Sequence, residues 1–179
     1  MKTILIWCLG LALSLGAAAQ GEADAQRAAM EKLAWMAGTW EGASATQDRE
    51  GEKRSISNEW IRRAAGGLAV MIQGRHYRML PDGARGDVVL DTAGMITYDA
   101  AAGKYRFLTQ LQDGKGGTFD MEMQGDALSW RIPITGAHIR YDITRTERGQ
   151  WSELGYYCRD GAPCVPFFKM LLERRGEAP

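Results

Sequence analysis

Two short runs gather the side chains best suited to chemistry. Arg75-His76-Tyr77-Arg78 and His138-Ile139-Arg140-Tyr141-Asp142 contain the only two histidines of the 179-residue chain, each beside arginine and tyrosine. Side chains alternate across an extended strand. His76 therefore shares a face with Arg78, and His138 with Arg140 and Asp142. Turned inward, such a face offers an imidazole and bidentate guanidinium donors to a carboxylate or another anion. The second run carries Ile139, Tyr141 and Ile143 on its opposite face, so its polar face is expected in solvent. The first run leaves both orientations open: Leu68, Val70 and Ile72 fall with His76, while Met71, Tyr77 and Met79 fall on the other side.

Trp60, Met71, Met121 and Met123 join Arg75, His76, Tyr77 and Arg78 as candidate ligand-binding residues, because thioethers and aromatic rings adapt to irregular apolar guests. Met121 and Met123 share a face, but no third soft ligand stands near them, and no metal site is assigned. Glu59 beside Trp60 and Glu153 near Trp151 would line the interior only if their strands turn that way; carboxylates are more often exposed strand partners. No serine lies in a nucleophile elbow and no base is set beside a nucleophile, so no catalytic residues are assigned.

Residues 22–36 place Ala25, Ala29, Met30, Leu33 and Met36 at helical spacing, which predicts a short amphipathic helix stopped by Gly38. Beyond it, alternating runs are divided by Gly, Asp and Pro clusters. They predict strands near 39–47, 53–62, 67–79, 87–98, 104–112, 117–124, 127–133, 137–146, 150–158 and 165–174. Ala93-Gly94 makes the fourth the weakest. The expected fold is all-β: an up-and-down antiparallel barrel of about ten strands with the helix closing one end. The helical segment would cover 20–37, the barrel 38–175 as a single domain, and 176–179 a tail. Gly38-x-Trp40-x-Gly42 on the first strand would plug the closed end with an indole. Arg174 on the last strand would stack on it, with Arg175 as the substitute if the register slips by one.

The ends and the composition bound the setting. Lys2, the apolar run Ile4–Leu15 and Ala17-Ala18-Ala19 read as a secretory signal over 1–19, cleaved near Ala19 and implying a periplasmic or secreted protein. The chain holds 22 basic and 22 acidic residues; without Lys2 the balance is 21 against 22, a formal charge of −1. No basic patch suggests nucleic acid, and no second apolar run could span a membrane. Of three cysteines, Cys8 falls in the signal, and Cys158 and Cys164, separated by turn residues, are expected to form a disulfide.

The segment Leu33-Ala34-Trp35-Met36-Ala37-Gly38-Thr39-Trp40-Glu41-Gly42 resembles the opening of lipocalin-like (calycin) barrels, and Met170-Leu171-Leu172-Glu173-Arg174 resembles the end of their last strand. The nearest likeness is to nitrobindin-like haem-binding barrels and uncharacterised secreted bacterial relatives. The resemblance implies an interior that binds a small apolar or amphipathic molecule. Nitrobindin-like proteins hold haem iron through a last-strand histidine. Here that stretch is Pro166-Phe167-Phe168-Lys169, so no residue inherits the role and no cofactor is assigned. A haem protein or small-molecule-converting enzyme using the same cavity, and an interaction module with a filled barrel, are the alternatives.

Overall fold

The computed structural model describes residues 9–177, with side chains from Gln20 onward. The expected signal segment 1–19 thus lies outside the described side chains, with only its backbone from Leu9 described. The elements are helix α1 (Leu9–Glu31), a 3-10 turn (Ala34–Met36), and strands β1 (Gly38–Asp48), β2 (Gly51–Ala64), β3 (Ala69–Met79), β4 (Arg85–Asp99), β5 (Lys104–Leu111), β6 (Gly116–Gln124), β7 (Ala127–Ile134), β8 (Ala137–Arg145), β9 (Trp151–Arg159) and β10 (Val165–Gly176), with a second 3-10 turn (Ala65–Gly67) between β2 and β3. Each strand pairs antiparallel with its sequence neighbour, and β1 pairs with β10, closing a ten-stranded barrel. No helix of the described residues is long and apolar enough to cross a membrane.

Closure rests on residues the two end strands contribute at one level. Trp40 stands opposite Arg174 in the β1–β10 register, and the guanidinium lies 5.5 Å from the indole ring. A cation–π contact of this kind contributes about 0.5–2 kcal/mol. Arg174 also donates to the Ala37 carbonyl, and the Trp40 indole N–H donates to the Met36 carbonyl at 2.8 Å. Trp35 and Trp151 meet Trp40 edge-on at 6.3 and 6.0 Å. The flanking glycines are required by close approach: a Cβ on Gly42 would stand 2.1 Å from the Leu171 carbonyl oxygen, and one on Gly38 2.7 Å from the Arg174 guanidinium.

The 3-10 turn corrects the expected helix end. α1 stops at Glu31 instead of running to Met36, because the chain must turn Leu33 and Met36 beneath the barrel and present the Met36 carbonyl to Trp40. The helix is tied down by Tyr105, whose hydroxyl donates to the Ala29 carbonyl at 2.8 Å. Burial pushes the Tyr105 phenol up from its ordinary pKa. β10 continues to Gly176, where a tail was expected, since Thr39 pairs with Gly176. β4 runs unbroken through Ala93-Gly94, because Gly94 lies beneath the Phe107 ring, 2.7 Å from where its Cβ would be. The Cys158–Cys164 disulfide is present and ties the β9–β10 hairpin.

Trp40→Ala is expected to cost about 3–5 kcal/mol of unfolding free energy, because it opens a cavity and deprives Arg174 of its aromatic partner. Urea titration checks this; a midpoint equal to that of the parent protein would contradict the plug.

Candidate functional site

Register decides which candidates reach the interior. Opposed residues in an antiparallel pair share a face. Starting from buried Trp40, the inward set runs through Glu59, Gly74, Thr92, Leu111 and onward round the barrel. His76, Arg78, Met121 and Met123 fall on this inward set. Met121 is fully buried at the helix-capped end, and Met123 packs partly buried against the same core. Arg78 is exposed at the opposite rim.

Trp60, Met71, Arg75 and Tyr77 fall on the outward set. Their strands offered apolar residues on both faces, and the face carrying Ile61, Val70 and Ile72 turned in. Trp60 and Met71 line a depression of about 510 Å³ on the outer wall with Arg62, Gln73 and Asp91. Arg75 is held there by Asp91, at 2.8 and 2.5 Å. The second histidine run turns Ile139, Tyr141 and Ile143 inward and His138, Arg140 and Asp142 outward.

The interior itself has two unlike halves. At the α1 end the inward side chains Trp40, Ile61, Ile96, Met121, Leu128 and Leu172 are sealed, none more than 1% exposed. Toward the other end Ile72, Phe107, Phe119, Ile132, Ile139 and Phe168 face inward yet stay partly accessible. Ile134 reaches 42% and Tyr157 38% exposure. Trp130 stacks on Tyr141 at 4.8 Å, with Phe107 and Phe119 at 5.0 and 5.3 Å on its flanks.

Against these apolar walls stands a polar seam in which His76, a candidate from the sequence, is joined by Ser44 and Ser57, which the sequence did not single out. Ser44 and Ser57 hydroxyls lie 2.8 Å apart, Ser57 Oγ is 2.9 Å from His76 Nδ1, and His76 Nε2 is 3.4 Å from Glu59 Oε1. All four residues are buried. The Glu59 carboxyl lies over Gly74, where a Cβ would come within 2.7 Å of both oxygens. Glu153 extends the seam from β9. Its side chain faces inward and is partly accessible, with protein packed around it. Burial, and then the charge of Glu59, push its pKa up to about 8. The Trp151 indole N–H lies beside it and eases ionisation slightly, although it falls short of hydrogen-bond geometry. Burial and the neighbouring Glu153 likewise push the Tyr141 phenol up to about 12. Both carboxylates were expected outside; the register turned them in, because Ile61 and Trp151 on the same faces belong to the sealed core.

Carboxyl, imidazole and hydroxyl in line are the parts of a nucleophile relay. Ser57 is 0% exposed and its oxygen is engaged by both Ser44 and His76, so it cannot meet a substrate carbonyl. The relay instead fixes the imidazole. Both His76 nitrogens face partners, His138 lies on the outer set, and Phe168 occupies the inward position of the last strand. These residues do not fit a histidine-ligated haem. Among the described residues no group of three His, Cys, Asp or Glu side chains is placed to hold a metal.

The chain matches no family model and no curated protein sequence. It is similar in structure to Rv2717c from M. tuberculosis, at TM-score 0.59 and 12% identity, covering 82% of this chain and 97% of that one. It is also similar to the S-type phycobiliprotein lyase CPES from Guillardia theta, at TM-score 0.52 and 11% identity, covering 84% and 92%. At these identities the likeness is one of fold, a closed antiparallel barrel.

Glu153 fixes the sign of a pH effect. The folded protein holds a proton that an unfolded carboxyl releases near 4.5, so this contribution to stability is full below about 4.5 and is lost as pH rises through about 8. Glu153→Gln is expected to flatten that decline and to be more stable than the parent protein at pH 9. Parallel stability profiles from urea titrations over pH 5–9 would refute the assignment.

Proposed function

We propose that the protein is an exported barrel that binds a small, mainly apolar molecule in the open half of its interior, with the polar end of that molecule against the Glu59–His76–Glu153 seam. One observation carries the reading: inward apolar and aromatic side chains remain accessible at one end while their counterparts at the α1 end are sealed. A barrel filled by its own side chains would bury both ends alike, whereas ligand sites are concave, mostly apolar and supplied with a few convergent polar groups. The stacked Trp130–Tyr141 pair and Phe168 supply the walls. Export is supported by Lys2, the short apolar run and Ala17-Ala18-Ala19, and by the disulfide, a bond favoured in oxidising compartments. Likeness to a phycobiliprotein lyase lends the reading a fold and no particular substrate.

N-phenyl-1-naphthylamine, neutral and nearly dark in water, tests this. Its fluorescence is expected to rise and saturate at one molecule per chain. Ile132→Trp, which fills the open half, is expected to weaken binding about tenfold or more, whereas Trp60→Ala on the outer wall leaves it unchanged. No fluorescence gain, or loss of binding in Trp60→Ala alone, would overturn the interior site.

A further inference from the structure

The charges of the interior are one-sided. Among the described residues, every lysine or arginine on the inward register lies at a barrel end and is exposed: Lys53, Arg78 and Arg159 at the open rim, and Arg63, Arg145 and Arg174 at the α1 end. Between them the inward ionisable groups that face one another are Glu59 from β2, His76 from β3, Tyr141 from β8 and Glu153 from β9. The chamber therefore holds two carboxyls and an imidazole with no fixed cation. We propose that its guest is itself a cation: a protonated amine carried on an apolar body. This inference rests on the chamber reading above and names the class of its ligand.

The polar groups are short of partners in the way a missing guest would leave them. Glu59 is only 6% exposed, and its carboxyl receives no hydrogen bond among the described residues; His76 Nε2 stands 3.4 Å from it. A buried carboxyl left so exposes its own desolvation cost, which a cation offsets better than any neutral group. Trp130, nine-tenths buried on the facing wall, carries an indole N–H with no partner. The faces of Trp130, Tyr141 and Phe168 offer the ring quadrupoles that attract an ammonium. An anionic head would lie against two carboxyls that already repel one another, and a neutral head would leave Glu59 as it stands.

Because burial, and then the charge of Glu59, disfavour ionisation of Glu153, an arriving ammonium drives the proton off Glu153. Binding is thus expected to strengthen as pH rises and to release a proton near neutrality. A structural role for the two carboxyls would produce neither effect.

Octylammonium, octanol and octanoate share one tail and differ only in the head. Calorimetric titration of the full mature chain at pH 7, repeated in phosphate and Tris, measures affinity and proton release together. The expected result is octylammonium about tenfold or more tighter than the other two, with a proton released and affinity rising from pH 6 to 8.5. Glu59→Gln and Glu153→Gln are each expected to abolish that preference while octanol binding is kept. Octanol or octanoate binding as tightly as octylammonium, or a preference unchanged in both variants, overturns the inference and leaves the chamber intact. If the naphthylamine probe binds and no octyl compound does, the inference also fails. If neither the probe nor any octyl compound binds, the chamber reading fails with it.

Discussion

The barrel is held shut by one indole. Trp40 sits where the first strand meets the last, under the Arg174 guanidinium, with its N–H on the Met36 carbonyl and its edges against Trp35 and Trp151. Strand pairing alone would supply backbone hydrogen bonds to β1 and β10, but these are worth little net against the unfolded chain in water. The indole adds burial and direction. It joins β1, β9, β10 and the turn beneath the barrel into one packed unit, so that the α1 end becomes solid. A solid end is what gives the proposed binding half its floor.

Above that floor the molecule accepts a cost that an ordinary core avoids. Glu59, His76, Ser57 and Ser44 are buried together, and burial, with the charge of Glu59 added to it, lets Glu153 hold its proton near neutrality. Apolar residues of similar size would be the more stable choice at such positions. Glycines make the arrangement feasible: Gly74 admits the Glu59 carboxyl, and Gly155 is hemmed by Tyr141 and Phe168, so side chains lie close along the wall. Groups retained against their own stability fit a site better than a scaffold.

Strand number, order and closure were legible in the sequence because turn residues recur at regular spacing and the Gly38-Trp40-Gly42 and Arg174 pair is chemically distinctive. The face of β8 was equally legible, since Ile139, Tyr141 and Ile143 alternate cleanly with His138, Arg140 and Asp142. The face of β2 and β3 was not. Ser55, Ser57, Glu59 and Ile61 turn inward while Ile56, Asn58, Trp60 and Arg62 turn out, and neither row is uniformly apolar. The inward row became identifiable only through pairing with Trp40. Trp60, Met71, Arg75 and Tyr77 consequently sit on the outer wall, and Glu59 and Glu153 inside. Sequence alternation reports burial; here half of one inward face was selected for polarity instead, and the signal reversed.

The division of the interior into a sealed half and an open half is most directly tested by thiol accessibility. Ile139→Cys and Ile96→Cys place one reporter in each half, both facing inward, with the native disulfide intact. Labelling of the folded protein should proceed readily at position 139 and at position 96 only as fast as the barrel unfolds. Equal protection at both positions would mean that the barrel is filled by its own side chains and that no chamber exists.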